Sequence, residues 1–252
     1  MIAVYTVIVA NYDNLETLPV QAVAPGVRYV CFSDRPRQVR PWEIQPFPQA
    51  LADPHRMSRI PKMLPHLLLP EAEVSVYMDG AFTLCAPPKQ MVAELLGDAD
   101  IALFRHPTNK SIHDERNFYQ KLHGFVPHDV ETEYQRYCAL GIPITGDFWA
   151  GGFLLRRHNA TVAKFNELWM REFLRGSNND QFSLYYALTA IEGLKVRTLP
   201  GYYAAEGRLG YHFHASSSDA SNQAHAAENQ AWKERTDRIR EICHQWSVVS
   251  DQ

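Results

Sequence analysis

Apolar residues in this chain gather into short runs, and several of those runs stop on an aspartate. Residues 2–10 are mostly β-branched and aromatic and lead into Asn11-Tyr12-Asp13-Asn14, a polar cluster, so the pattern predicts a strand and then a loop. Residues 27–32 repeat the theme and end on Ser33-Asp34, and residues 74–78 repeat it again, ending on Asp79-Gly80. Shorter strand patterns lie at 42–47, 100–104, 148–155 and 195–199. Unbroken apolar runs of this length suit inner strands buried on both faces.

Helical spacing alternates with these runs. Asp53-Pro54 opens a segment as N-cap and first helical residue, with Arg56, Arg59, Lys62 and His66 on one side and Ile60, Met63, Leu64 and Leu67 on the other. Pro61 and Pro65 must kink or shorten it. Residues 88–96 place Met91, Val92, Leu95 and Leu96 on one face. Asn159 can cap a helix that runs to Arg175 and closes on Gly176, with Val162, Phe165, Leu168, Trp169 and Phe173 three to four residues apart. Residues 180–191 form another helical pattern, stopped at Gly193. Residues 215–223, rich in Ser and Asn, read as a loop, and 224–246 read as helix, with Trp232, Ile239, Ile242 and Trp246 toward one side.

Strands alternating with helices predict an α/β fold with a Rossmann-type, mixed but mostly parallel sheet flanked by helices. We expect one domain over residues 1–223, and a C-terminal helix within 224–252 that packs on it or serves docking.

Composition narrows the class. Hydrophobic content of 46% and charged content of 21% over 252 residues are those of an ordinary globular protein. A net charge of −3 gives no electrostatic footprint for nucleic acid, so any anionic ligand needs a local cluster of cations. Four scattered cysteines without a Cys-x-x-Cys pair suit a reducing compartment. No apolar stretch approaches the roughly 20 residues of a membrane span. The expectation is a cytoplasmic chain that could work against a membrane surface but not within it.

Three loops, at Asn11 to Asp13, Ser33-Asp34 and Asp79-Gly80, then fall at carboxyl ends of candidate parallel strands, where open α/β sheets bind ligands. Each aspartate alone is equally a turn residue. The basic stripe of Arg56, Arg59, Lys62 and His66 could be a solvated face or a phosphate site. Gly151-Gly152, inside a strand, suggests a bulge or close approach by a ligand or another backbone. Ser111-Ile112-His113-Asp114 has capping-box spacing, and Ser177 to Gln181 could cap the next helix. His212 and His214 share one face of an extended segment, which suits a metal or a surface strand. Gly-x-Ser-x-Gly, P-loop and Gly-x-Gly-x-x-Gly motifs are absent.

The order Asn11-Tyr12-Asp13, Cys31-Phe32-Ser33-Asp34, Ser58-Arg59-Ile60-Pro61-Lys62, Tyr77-Met78-Asp79, His106-Pro107, Asp114-Glu115, Trp149 to Arg157 and Asp180-Gln181 resembles the DUF616 family of glycosyltransferase-like proteins. The resemblance covers about residues 1–200. It implies a GT-A-like fold similar to the retaining family 8 enzymes, a nucleotide-sugar donor, a carbohydrate or glycoconjugate acceptor as in polysaccharide biosynthesis, and Mn²⁺ or Mg²⁺. Residue by residue it implies donor contacts at Asn11, Tyr12, Asp13, Asp34, Arg59, Lys62, Asp79, Gly151 and Gly152. Acceptor contacts would come from His106, Asp114, Glu115 and Trp149, and catalytic ones from Asp180 and Gln181. Metal ligands would be Asp79 with His212 or His214. Ala81 stands where a second DxD aspartate is usual. Either another residue completes the metal's oxygen shell, or Arg59 and Lys62 replace its charge. Two rival readings are a glycoside hydrolase pairing Asp79 with Asp114 or Glu115, and a non-catalytic nucleotide or carbohydrate binding domain.

Overall fold

The computed structural model describes residues 1–10, 12–47, 53–199 and the backbone of 209–211. Asn11, His212, His214 and the helix expected within 224–252 lie outside the described residues.

Seven strands make the main sheet: β1 (Ile2–Ile8), β2 (Val27–Ser33), β3 (Glu43–Gln45), β4 (Val74–Met78), β6 (Ile101–Arg105), β7 (Trp149–Arg157) and β8 (Val196–Leu199). Their order is β3-β2-β1-β4-β7-β6-β8. Pairings are parallel except that β7 runs antiparallel to both β4 and β6. The expected mixed, mostly parallel sheet therefore forms. The chain moves outward from β1 through β2 and β3, then returns to β4 on β1's other side, so a switch point opens between β1 and β4. A second, two-stranded sheet pairs β5 (Phe82–Leu84) with β9 (Leu209–Tyr211).

Alternation along each strand sorts the core into two layers. Val4, Val76, Phe104 and Phe153 face one layer with Met91, Leu95 and Leu96. Tyr5, Tyr77, Leu103 and Leu154 face the other, against Met63, Phe165, Trp169 and Leu184. That second layer holds α1 (Pro54–Met63), α6 (Ala160–Arg175) and α7 (Asp180–Ala190). Both long-helix starts are capped as expected: Asp53 accepts from the His55 and Arg56 amides, and Asn159 from the Val162 amide. Pro65 ends α1 and starts the short α2 (Pro65–Leu68), while Pro61 stays inside α1. Residues 88–96 are split between α3 (Pro88–Met91) and a wider, π-type turn at Val92–Leu96.

The basic side of α1 is not a solvated face. Arg56 and Lys62 are 7% and 3% exposed and lie against the core, as does Met63 on the apolar side, whereas Leu67, carried past the Pro65 break into α2, is 60% exposed.

A third cluster joins α4 (Ile112–His123), α5 (His128–Ala139) and α7 through Ile112, Val130, Tyr134, Tyr137, Phe182 and Tyr185. The sequence pattern gave no helix at α5, because a buried Glu133 interrupts its apolar stripe. Glu133 accepts from the Tyr137 hydroxyl at 2.7 Å and from the Ser177 amide at 2.8 Å, which ties α5 to the loop before α7. No helix among the described residues is long and apolar enough to cross a membrane.

Gly176 lies under that clamp, where a Cβ would fall 2.3 Å from Glu133 Oε1. Since Glu133 is held on several sides, Gly176→Ala is expected to destabilise the protein by about 1–3 kcal/mol in urea unfolding. Gly141→Ala, with open space around it but φ of +73°, should cost only about 1 kcal/mol.

Candidate functional site

The site is built at the carboxyl edge of the parallel strands. β4 stops at Met78 and the chain turns at once, the Phe82 amide donating to the Asp79 carbonyl at 3.0 Å. The Asp79 amide donates to the Gly152 carbonyl at 2.8 Å, which sets Asp79 beside the paired glycines of β7. Gly80 is there because Asp13 packs against it, a Cβ at Gly80 coming within 2.6 Å of Asp13 Cβ.

Lys62 reaches this edge from the end of α1. Pro65 breaks the helix, so the Lys62 carbonyl has no intrahelical partner, and it accepts instead from Arg156 at 2.7 Å and from the Tyr5 hydroxyl at 3.1 Å. Arg156 is fully buried, also donates to Asn166 at 2.9 Å, and contacts the Tyr5 hydroxyl. A charged residue within the apolar run of β7 was the available sign of this anchor in the sequence.

Lys62 Nζ lies 2.8 Å from Asp180 Oδ2 and 3.6 Å from Asp79 Oδ1, with the Tyr77 ring 5.3 Å away. Arg59 Nε lies 3.1 Å from the same Asp180 oxygen. Burial alone would push the Asp180 carboxyl up, but Arg59 and Lys62 outweigh it and hold it well below the usual carboxylate range. The Tyr77 hydroxyl donates to Asp79 Oδ1 at 2.5 Å, and burial together with Asp79 keeps that phenol protonated. Arg59 also donates to Ser58 Oγ and to His55 Nε2; burial and the nearby Arg59 push the His55 imidazole down to about 4.

Gln181 braces the opposite wall. Its Oε1 accepts from the Gly151 amide at 2.9 Å and its Nε2 donates to the Trp149 carbonyl at 3.0 Å. A Cβ on Gly151 would lie 3.0 Å from that Oε1 and 3.5 Å from Lys62 Nζ, so the glycine admits both groups. Asn179 caps α7 through the Gln181 amide at 2.9 Å, and Trp169 Nε1 donates to the Asp180 carbonyl at 3.1 Å.

The outcome is an open cleft of about 210 Å³ lined by Arg59, Lys62, Asp79, His106, Pro107, Ala150, Gly151, Gly152, Asp180 and Gln181. Seven expected donor and catalytic positions and one acceptor position thus meet in one place. Of the other described positions, Asp13 packs against Gly80 beside the cleft, and Tyr12, Asp34, Asp114, Glu115 and Trp149 are not among its lining residues. Asp34 accepts from the Ala10 amide with both oxygens and closes the turn after β1, where Ala10 has φ of 53°. Tyr12 is exposed, and Trp149 donates its Nε1–H to Thr198. Asp114 helps to close the start of α4, its amide donating to the N-cap Ser111 and its carboxylate accepting from the Lys110 amide just before it. Glu115 is buried, accepting from Asn109 and Asn179.

As a metal site the described donor set is incomplete. Asp79 is the one carboxylate at the cleft with a solvent-facing side, and it already faces Lys62 and Tyr77. Among the described residues no three His, Cys, Asp or Glu side chains are grouped to hold an ion. These residues do not fit a divalent cation unaided.

Residues 33–200 match the family described as TOD1/MUCI70, glycosyltransferase-like domain. Over 152 residues, 52% of this chain, the sequence is 29% identical to a probable hexosyltransferase, MUCI70, of Arabidopsis thaliana, and it spans 24% of that protein's length. Among solved structures, the apo form of the bifunctional glycosyltransferase WbbM matches with a TM-score of 0.53 over 79% of this chain and 38% of that one, at 13% identity. That likeness carries the fold, which is GT-A-like as expected.

The Asp180 cluster has a pH signature. An unfolded aspartate titrates at about 3.9, so a lower folded value means that its stabilisation is complete above about pH 5, begins to fall as pH drops toward about 4 and goes on falling toward the depressed folded value. In urea unfolding between pH 3 and 7, Asp180→Asn should flatten the acid limb. At pH 7 it should cost about 3 kcal/mol, because Lys62 and Arg59 lose their buried counter-charge. An unchanged acid limb would refute this placement of the charge.

Proposed function

Since the chain belongs to the TOD1/MUCI70 (DUF616) glycosyltransferase-like family, we propose that its cleft transfers a sugar from a nucleoside diphosphate donor to a carbohydrate or glycoconjugate hydroxyl. The observation that carries the proposal is the meeting of Lys62 and Arg59 with Asp79 and the bare backbone of Gly151-Gly152 in one cleft. Two cations at a sheet edge suit a diphosphate, and glycines let a sugar lie close to main chain. As the glycosidic bond breaks, negative charge gathers on the departing diphosphate. Donors that are already in place stabilise that charge without reorganising.

Lys62 has three N–H donors, of which Asp180 takes one and Asp79 faces another. A phosphate oxygen would take the third. Asp180 then acts as the tether that aims both cations. Gln181, with both amide groups on β7, would hold the Gly151 wall against the sugar. Retention of configuration and a requirement for Mn²⁺ or Mg²⁺ completed by His212 or His214 stay part of the proposal on the sequence resemblance alone, and a cytoplasmic setting on the scattered cysteines. The hydrolase alternative, which pairs Asp79 with Asp114 or Glu115, gains no support, because Asp114 caps a helix, Glu115 is buried beneath the cleft and neither lines it.

The test is a thermal-shift panel of UDP, GDP, CDP and their sugars, with and without Mn²⁺, followed by chromatography for nucleoside diphosphate release. One base should stabilise the wild type by a few kcal/mol at large excess over Kd. Lys62→Ala should weaken that nucleotide about 10- to 100-fold through loss of a charge-assisted contact. Stabilisation by no nucleotide would overturn the transferase reading. Binding without donor turnover in the presence of any acceptor would leave a binding domain instead.

A further inference from the structure

Glu115 lies beneath the cleft, 6% exposed, and no cation pairs with it among the described residues. Its two oxygens are used in different directions. Oε2 accepts from Asn109 Nδ2 at 2.5 Å, and Oε1 accepts from Asn179 Nδ2 at 2.7 Å. A carboxylate can accept at both ends, whereas the amide of glutamine would present one donor to another donor. This explains why an acid occupies a buried position that offers it no counter-charge.

Each asparagine holds one wall of the cleft. Asn109 is itself buried, and its main-chain N–H donates to His106 Nδ1 at 3.0 Å. His106 also anchors to β7, its amide donating to the Phe148 carbonyl at 2.8 Å, with the two rings 5.5 Å apart. Burial lowers the His106 pKa although Glu115 opposes the shift, so the imidazole is neutral near pH 7. A neutral imidazole that accepts at Nδ1 carries its proton on Nε2. Asn179 holds the other wall, accepting from the Gln181 amide through Oδ1 and donating to the Tyr119 hydroxyl at 2.9 Å as well as to Glu115.

Resting on the reading of this cleft as a sugar-transfer site, we propose that Glu115 is a positioning residue that fixes His106 as an Nε2–H donor to a sugar hydroxyl while holding the Asp180-Gln181 end of α7 across from it. The carboxylate is a strut between the two walls. His106, with Nδ1 occupied and Nε2 protonated, donates to a sugar oxygen and does not take the acceptor's proton. The assignment also gives Glu115, expected from sequence to touch the acceptor, a place one layer behind it.

The test needs no sugar nucleotide, so its failure is distinct from failure of the transferase reading. Long-range ¹H–¹⁵N spectra of the histidine rings are recorded at pH 7.5 for wild type, Glu115→Ala and Asn109→Ala, with His106 assigned through His106→Gln. The exposed His128 ring of the same protein gives the freely averaging reference. In wild type, His106 Nδ1 should sit at the fully unprotonated extreme. In both variants it should move to the averaged position of His128. If Glu115→Ala does not fold, Asn109→Ala, which removes only the side-chain link to Glu115 and keeps the main-chain N–H that faces His106, decides the matter. A wild-type His106 already at the His128 position would overturn the proposal. So would a folded variant whose His106 keeps the wild-type shift while only the melting temperature falls.

Discussion

One carboxylate oxygen, Asp180 Oδ2, lies within ion-pair distance of both Lys62 and Arg59 in a place where none of the three can be well hydrated. Buried charges are costly unless each has a partner held in good geometry, and removing one partner strands the others. The elements around the cleft can be understood from that constraint. The end of α1 is pinned by Arg156 and Tyr5 so that Lys62 points outward from a broken helix. The start of α7 is pinned by Asn179, Trp169 and Ser177 so that Asp180 meets it.

The layer of α4 and α5 has its place in the same scheme. It adds a small aromatic core of its own, and it sends two buried glutamates toward the segment that precedes α7. Glu133 holds Ser177 and excludes a side chain at Gly176, while Glu115 holds Asn179. Neither acid faces a substrate. Both hold the segment that leads into Asp180 and Gln181.

Much of this was legible in the sequence, for identifiable reasons. Inner strands must be apolar on both faces, so β1, β2 and β4 stood out, and each ended on the loop that meets the sheet edge. Asp53-Pro54 and Asn159 announced their helices through capping chemistry that is local to three or four residues. What could not be read depends on contacts distant in the chain. Nothing near Glu133 in sequence shows that it serves Ser177, so no helix was expected at α5. The basic side of α1 could be read as a solvated face or as a phosphate site because its counter-charge, Asp180, is more than 100 residues away. Asp34 and Asp114 carried the same turn chemistry as Asp79, and only the assembled sheet separates the residue facing the cleft from the two that close a turn and a helix end.

The cleft thus has the form of a charge cluster set for an anion: paired cations aimed by a buried acid, a carboxylate facing solvent, and a glycine floor. The most direct measurement is a crystal structure of the protein soaked with the nucleoside diphosphate that stabilises it best. The account predicts the diphosphate over Gly151-Gly152 with oxygens within hydrogen-bond distance of Lys62 Nζ and Arg59, both still tethered to Asp180. A nucleotide bound elsewhere, or one in this cleft whose phosphates make no contact with Lys62 or Arg59, would contradict it.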